Sequence, residues 1–265
     1  MAYKQLKLSF DTDLAVALSK KLNLVDAQFN TSAFIKGVSR NLEPLELKDR
    51  IELFADQLYN AFDQDYKSAI TTLLKILGPE NENETGMFKI YYWILPIAKV
   101  VEKYGQSAFK LSMKAIEEIT KRSTGEYAIR PFLLNQQDKT MKQISQWSKH
   151  ENSHVRRLAS EGIRPRLPWA SKLDAFIQDP SSIIPVLNNL KADKSKYVQK
   201  SVANCINDIL KDNMALGIKL IENWMQPTCA DETKWIIKHA IRRLLKQNDS
   251  WAILIEAKLK TKKLQ

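Results

Sequence analysis

Apolar residues recur at steps of three and four over residues 47–62, which is the spacing of one face of an α-helix. The members of this stripe are Leu47, Ile51, Phe54, Leu58 and Phe62. A second stripe covers residues 70–77 and ends before Gly78 and Pro79, a pair that stops a helix. The polar stretch 79–86 predicts a solvated loop. These patterns predict consecutive amphipathic helices.

The second half of the chain contains a loose internal repeat of helices that begin after polar turns. A helix predicted over about residues 138–149 leads into one such turn, in which Asn152 or Ser153 suits the cap of the next helix. Similar turns precede two later helices, and equivalent apolar positions stand 43 and 38 residues apart: Val155, Val198 and Ile236. This period is typical of HEAT-like helical hairpins.

The fold class that these patterns predict is all-α, a HEAT-like solenoid of stacked helical hairpins with a concave basic face. We find no convincing run of strands and no linker that would separate two domains, so we expect a single domain over residues 1–265. The lysine-rich tail, residues 258–265, is expected to be frayed or disordered. Seven glycines in the whole chain are fewer than the turns of a β-sandwich or a Rossmann domain use.

Basic charge is concentrated in the second half of the chain. Residues 126–265 hold 24 Lys and Arg against 14 Asp and Glu, whereas residues 1–125 hold 17 against 16. The second half therefore carries +10 of the formal net charge of +11. A one-sided basic surface suits a polyanion such as nucleic acid, although a soluble basic protein without such a partner has the same composition.

Targeting signals are not evident in the sequence. The start, MAYKQLKLSF, has no apolar stretch of signal length, and no run of about 18 apolar residues occurs. The two cysteines form no CxxC pair and are interpreted as reduced thiols. We therefore expect a cytoplasmic protein with no membrane partner.

One segment, WSKHENSHVRRLASEGIRPRLPWA at residues 147–170, surrounds a single acid, Glu161, with arginines. The guanidinium groups suited to grip phosphates are those of Arg156, Arg157, Arg164 and Arg166. Glu161 stands one helical turn from Arg157 and from Arg164, so either arginine is placed to hold it.

The same segment ends in a proline-rich stretch with a tryptophan. Pro165 and Pro168 are expected to end the helix and to fix the loop that carries Trp169. A flat aromatic ring beside arginines suits contact with a nucleic-acid base. The alternative from the residues alone is a buried helix with a solvated arginine face and a core tryptophan.

The sequence contains no clear motif for metal, phosphate or serine-nucleophile chemistry. His150 and His154 stand four apart, but a turn over Glu151-Asn152-Ser153 separates them and no further ligand cluster is near in sequence. Neither a glycine-rich phosphate loop nor a GxSxG motif occurs. We therefore expect no metal and no cofactor.

The segment at 147–170 resembles, through the pattern WSxHxNxHVRRLASEGxRPRLPW, the signature of the AlkC family, a branch of the AlkD-like HEAT-repeat DNA glycosylases. Two further segments resemble the same family, STGEYAIRPFLL at 123–134 and YVQKSVANCINDILKDN at 197–213. The three segments stand in the order of the family and span the middle of the chain. Some members carry an additional immunoglobulin-like domain at the C-terminus, which we do not expect here.

The resemblance implies a monofunctional glycosylase that excises cationic N-alkylated bases, 3-methyladenine and 3-methylcytosine foremost, from double-stranded DNA. A carboxylate near the sugar stabilises the oxocarbenium-like cation and orients or deprotonates water. One acid lies in each matching segment, and the resemblance implies that these acids are catalytic: Glu161, Asp208 and Glu126. It favours the first two slightly over Glu126.

The resemblance also implies how the chain binds DNA. Trp169 is expected to contact the lesion or the exposed sugar. The other expected DNA contacts are His154, Arg156, Arg157, Arg164 and Arg166. The family is associated with bending DNA without a deep base-flipping pocket, and we expect the chain to act as a monomer.

Two other functions fit the same sequence. A HEAT-like scaffold can hold nucleic acid or protein without catalysis, and the charge argument does not distinguish RNA from DNA. The placement of acids separates an enzyme from a scaffold. A phosphate binder gains nothing from carboxylates lodged among its arginines, whereas a stabiliser of a cationic sugar needs them.

Overall fold

The computed structural model describes residues 5–260, and the regular secondary structure of this part is entirely helical. The helices in the first part of the chain are α1 (Thr12–Asn23), α2 (Thr31–Ser39), α3 (Leu47–Asn60), α4 (Tyr66–Lys75), α5 (Leu95–Tyr104), α6 (Phe109–Thr120) and α7 (Arg130–Asn135). Those that follow are α8 (Gln137–Trp147), α9 (Ser153–Glu161), α10 (Asp174–Gln178), α11 (Ile184–Leu190), α12 (Lys196–Asp212), α13 (Met214–Trp224), α14 (Asp231–Ala240), α15 (Arg242–Lys246) and α16 (Ser250–Lys260). Short 3₁₀ helices cover Leu6–Ser9, Tyr92–Ile94 and Pro180–Ile183. The predicted all-α fold is confirmed.

The apolar stripes identified in the sequence mark helices of the structure. The stripe over residues 47–62 lies largely on α3, where Phe54 and Leu58 are fully buried. The next stripe lies on α4 and the turn after it, and Gly78 follows with a φ of 76°, a conformation that favours glycine. Within residues 5–260, no helix combines the length and the apolar composition that crossing a membrane requires.

The described residues group into two compact units, one up to Phe132 and one from Leu133 onward. This division does not test the expectation of a single domain over residues 1–265, which stays a prediction. Helix α16 continues to Lys260, into the tail that the sequence predicts to be frayed from Lys258. The rest of that tail, 261–265, lies outside the described residues.

The core of the first unit is built on aromatic contacts. Phe10 and Phe34 each meet Phe54 of α3 edge to face, with ring centroids 6.1 and 6.3 Å apart. All three side chains are buried, and edge-to-face pairs add to the stabilisation that burial of such rings provides. Helix α3 packs against α5, and α1 packs against α2.

The second unit is a stack of helical hairpins. Helix α8 pairs with α9, and α11 with α12, while α13 and α14 follow as consecutive helices. Helix α12 packs against both α9 and α14, so three successive repeats meet through their second helices. Val155, Val198 and Ile236 are fully buried in these three helices, as the repeat predicts. This stacking is the HEAT-like arrangement.

The starts of these helices refine the repeat. Asn152 caps α9 by accepting from the backbone N–H of His154, and Ser195 caps α12 by accepting from that of Val198. Helix α14 follows Ala230, which has no capping side chain. Counted from these caps the period is 43 and then 35 residues, so Ile236 lies one turn further into its helix than Val198 does.

Candidate active site

The chain direction changes sharply where α9 ends, at Glu161. The backbone N–H of Gly162 still bonds to the carbonyl of Leu158, but Pro165 follows and disfavours a helical conformation at Arg164. The segment therefore leaves the helix as a turn, with Arg164 just beyond the last residue of α9. This local geometry brings Arg164 back towards the carboxylate of Glu161.

Glu161 is buried and is held by two hydrogen-bond donors and one further ion pair. Its Oε1 accepts a hydrogen bond of 2.8 Å from Nη1 of Arg164 and lies 3.6 Å from Nη2 of Arg157. Its Oε2 accepts a 2.6 Å hydrogen bond from the hydroxyl of Ser201 on α12. Burial acts to raise the pKa of Glu161, but the two arginine charges and the hydrogen bonds outweigh it and lower the pKa. The carboxylate is therefore ionised at neutral pH.

Asp208 of α12 lies on the other side of the same guanidinium group. Nε of Arg164 donates to Oδ2 of Asp208 at 2.9 Å, and Nη2 of Arg164 lies 3.3 Å from its Oδ1. Burial dominates here and raises the pKa of Asp208, although Arg164 opposes the shift. One arginine thus bridges two buried acids with opposite pKa shifts.

This arrangement, Glu161, Arg164 and Asp208, is a charged cluster inside the second unit. Each carboxylate is less than one-tenth exposed, as is Arg164. Burying charges costs free energy unless they are paired and hydrogen-bonded, and here the pairing is nearly complete. Chemically, the cluster offers a fixed negative charge and, next to it, a carboxylate of raised basicity.

The structure assigns intramolecular partners to the arginines expected to grip phosphates. Arg156 bonds to Asp193 at 2.6 Å and also to the carbonyls of two residues in the turn before α9. Arg166 forms a two-bond pair with Asp212, at 2.7 and 2.8 Å. Arg164 is occupied by the two carboxylates. The prediction that Arg157 or Arg164 holds Glu161 is confirmed, because both pair with it, and α12 with the turn before it supplies further acids to the other arginines.

Arg157 and His154 both meet an aromatic ring of α12. The guanidinium carbon of Arg157 lies 5.0 Å from the ring centroid of Tyr197, a cation–π distance. His154 is buried, 2% exposed, and its ring meets Tyr197 edge to face at 5.4 Å. His154 therefore packs against the ring that contacts Arg157, and its contact with DNA stays a prediction.

Trp169 is an exposed side chain on a constrained loop. It is 70% exposed, and its φ of 64° lies in the left-handed region that a bulky residue rarely adopts. The loop is closed by a hydrogen bond from the backbone N–H of Leu173 to the carbonyl of Pro165. The alternative interpretation as a core tryptophan was therefore wrong. An exposed ring held in strained geometry is typical of a functional position.

The third expected acid belongs to the first unit. Glu126 is buried, and its Oε2 accepts a 2.9 Å hydrogen bond from the hydroxyl of Thr124. The contacts within the second unit bring together Glu161 and Asp208.

The histidine pair does not form a metal site in the described part of the chain. Nδ1 of His150 accepts from the backbone N–H of Asn152, and His154 is packed against Tyr197. Across residues 5–260, no three His, Cys, Asp or Glu side chains are grouped as metal ligands.

Several residues of the site were missed in the sequence. Those that the structure adds are Tyr197, Ser201, Asp193 and Asp212. A signal for Ser201 was present, because it stands seven residues before Asp208 on one helix and shares its face. The partners of Arg156 and Arg166 had no local signal, since they lie 37 and 46 residues away along the chain.

Comparison with known proteins identifies the class to which this fold and site belong. A family model described as DNA alkylation repair enzyme matches residues 35–244, and the chain therefore belongs to that family. A relative from Bacillus subtilis (strain 168), described as uncharacterized protein YhaZ, is 39% identical over 251 residues, which cover 94% of this chain and 67% of the relative.

A solved structure shows the same fold. It is that of Pseudomonas fluorescens alkylpurine DNA glycosylase AlkC bound to DNA containing an abasic site analog. The TM-score is 0.87 at 34% identity, covering 96% of this chain and 69% of the AlkC chain. The resemblance to the AlkC family is thereby confirmed.

The opposite pKa shifts of the two acids predict opposite effects on stability. The pKa of Glu161 is lowered on folding, so its stabilisation is complete above its ordinary pKa of 4.5 and is lost as pH falls through the folded value. The pKa of Asp208 is raised, so its favourable contribution is complete below 3.8 and is lost as pH rises through the folded value. At any pH above the folded pKa, the ionised Asp208 therefore costs stability.

We expect Glu161→Gln to lower the melting temperature at pH 7, and Asp208→Asn to leave it unchanged or raise it. The difference in melting temperature between Glu161→Gln and the parent should narrow as the pH approaches 4, because the parent then loses the stabilisation that ionised Glu161 provides. Thermal melts of both variants and the parent across this range measure the effect. Equal destabilisation by the two substitutions at pH 7 would contradict the assignment of opposite shifts.

Proposed function

We propose that this chain is a DNA glycosylase of alkylation repair, which hydrolyses the N-glycosyl bond of cationic N-alkylated bases in double-stranded DNA. The proposed substrates are 3-methyladenine and 3-methylcytosine. The observation that carries the proposal is the buried pair Glu161 and Asp208, bridged by Arg164, in a member of a DNA alkylation repair family. The AlkC structure, a glycosylase bound to DNA, supports DNA as the partner.

The proposed reaction breaks the bond between C1′ of the deoxyribose and the alkylated base. The base keeps both bonding electrons and leaves as a neutral molecule, because it carried a positive charge before. No acid is therefore required to protonate it. The sugar becomes oxocarbenium-like, a water oxygen adds to C1′, and the water proton passes to a carboxylate.

The environments of the two acids suggest different roles in this reaction. We assign stabilisation of the cationic sugar to Glu161, since Arg157, Arg164 and Ser201 hold it in the ionised form. We assign acceptance of the water proton to Asp208, because its raised pKa makes it the stronger base.

Other predicted roles complete the proposal. Trp169 is proposed to contact the lesion or the exposed sugar, because its ring is exposed on a constrained loop. Glu126 stays the third candidate acid. A cytoplasmic location and a monomeric state stay predictions from the sequence.

A non-catalytic scaffold gives a weaker explanation of the cluster. Two carboxylates and an arginine buried together cost desolvation free energy, and apolar residues of similar volume often stabilise a fold as well or better. A scaffold that only binds phosphates has no use for negative charge in its interior. An enzyme that stabilises a cation needs this charge in place before the reaction begins.

The first prediction of this proposal is release of free 3-methyladenine, with 3-methylcytosine, from methylated double-stranded DNA. Chelator should leave the rate unchanged, because the reaction as proposed requires no metal. The measurement is chromatographic identification of the free bases, against a control without protein. Absence of release above that control would refute the proposed function. Loss of activity in chelator with recovery in zinc would instead favour the interpretation of His150 and His154 as ligands.

The second prediction concerns the charges of the two acids. Glu161→Gln and Asp208→Asn keep the side-chain shape but remove the negative charge, and each should slow excision by about 10²–10³-fold. Affinity for DNA should hold or rise, since an anion is lost. The measurement is single-turnover excision at saturating protein, with binding and thermal melts on the same preparations.

The matched control for this experiment is Glu232→Gln. Glu232 of α14 pairs at the surface with Lys194, 2.7 Å away, and lies outside the proposed machinery. This variant should excise at the parental rate. If both test variants cleaved like the control under saturation, the two acids would not be catalytic and Glu126 would become the candidate.

A further inference from the structure

Cationic and aromatic side chains gather where α14 packs against α12 within the second unit. Lys196 and Lys200 project from α12, Trp235 and His239 from α14, and Arg242 opens α15. We call these five residues the α14 cation cluster. The lysines are exposed and the other three residues are half-buried. Lys200 lies in segment 197–213, which resembles the AlkC family, and the other four residues lie outside all three such segments.

The aromatic part of the cluster is a stack covered by charge. The ring of His239 lies parallel to that of Trp235, with centroids 5.0 Å apart and an interplanar angle of 8°. Nζ of Lys196 lies 4.5 Å from the Trp235 centroid. Lys200 and Arg242 are the charged groups that act on His239, and together with burial they lower its pKa. The imidazole therefore lies in a positive field.

Arg242 differs from Arg156, Arg164 and Arg166, which all pair with carboxylates. Its Nη1 donates to the carbonyl of His239 at 2.6 Å, and its Nη2 donates to Oδ1 of Asn204 at 2.8 Å. Both acceptors are neutral, and among residues 5–260 Arg242 forms no ion pair with a carboxylate. Burial and the charge of Arg164 lower the pKa of Arg242, although the charge of Asp208 opposes the shift. A partly buried cation whose hydrogen-bond partners are both neutral favours the binding of an anion.

The spacing along α12 connects this cluster with the catalytic acids. Lys196, Lys200, Asn204 and Asp208 follow one another at intervals of four residues, so each lies one turn beyond the last. Asn204 accepts from Arg242, and Asp208 accepts from Arg164. The helix thus passes from a cationic end near α14 to an acidic end near the segment after α9.

We propose that the α14 cation cluster binds a backbone phosphodiester of the DNA strand beside the lesion. This inference rests on the proposed function and deepens it, because it names where that strand lies. A cationic lesion is attracted to Glu161 and Asp208, and its neighbouring phosphates are attracted to Lys200 and Arg242. The charge pattern of α12 therefore fixes the register of the DNA as well as its affinity.

The experiment measures the salt dependence of binding to a lesion-free duplex by the full chain. Lys200→Gln and Arg242→Gln should each weaken binding and lower the slope of log affinity against log salt by about one unit. Lys234→Gln is the matched control, since Lys234 loses the same charge on α14 but pairs with Asp231 at 2.9 Å. Its slope should equal that of the parent.

The alternative explanation is that Arg242 only closes the end of α14 and that Lys200 is solvated. Under that alternative Arg242→Gln lowers the melting temperature while both test variants keep the parental slope, and this result would overturn the inference. A loss of slope in Lys234→Gln equal to theirs would overturn it as well. Lys200 is exposed, so its variant tests the site even where Arg242→Gln fails to fold.

Failure of the proposed function is distinguished by a separate measurement on the parent. Excision of 3-methyladenine by the parent tests the glycosylase, whereas the salt slope on lesion-free DNA tests the phosphate site. If the parent excises the base but Lys200→Gln and Arg242→Gln keep the parental salt slope, the phosphate site is refuted and the proposed function stands. If the two variants lower the slope but the parent releases no base, the proposed function is refuted and the phosphate site stands.

Discussion

The guanidinium group of Arg164, shared between Glu161 and Asp208, is the interaction on which the second unit depends. It joins the residues just after α9 to the C-terminal part of α12 across 44 residues of sequence, and it pairs with two acids whose burial would otherwise cost much free energy. Ser201 completes this arrangement from α12. Removing Arg164 would leave two buried carboxylates without their shared counter-charge. The packing of α9 against α12 and the burial of the two acids therefore depend on the same side chain.

The hairpin stack explains how this cluster comes to lie next to the cations of α12 and α15. Helix α12 lies against α9 and α14, and so carries acids towards one neighbour and cations towards the other. Pairs such as Arg166 with Asp212 keep the polar side chains around it in fixed positions. Preorganised charges stabilise a developing cation without reorganisation at the moment of reaction. The strained loop of Trp169 then supplies an aromatic surface from the same segment.

Local patterns in the sequence predicted the helices and the repeat. The buried positions of Val155 and Val198 follow from the apolar periodicity and the capping residue a few positions away. Glu161 was identified by its position among arginines, whereas Asp208 and Glu126 were identified only through the resemblance of whole segments. The sequence did not predict how Arg164 and Arg166 are used, since their partners are brought close by the stacking of helices rather than by spacing. Exposure of Trp169 likewise depends on a loop conformation that composition does not encode.

The pH dependence of single-turnover excision at saturating protein tests most directly whether Asp208 is the ionised base beside Glu161, whose lowered pKa keeps it charged to lower pH. The excision rate, corrected for spontaneous base loss, should be level near neutral pH and fall at lower pH with a midpoint above 3.8, the ordinary pKa of an aspartate, because that of Asp208 is raised. Asp208→Asn should abolish this step in its residual rate. A parental rate that stays level below pH 4, or an identical step in Asp208→Asn, would contradict the account.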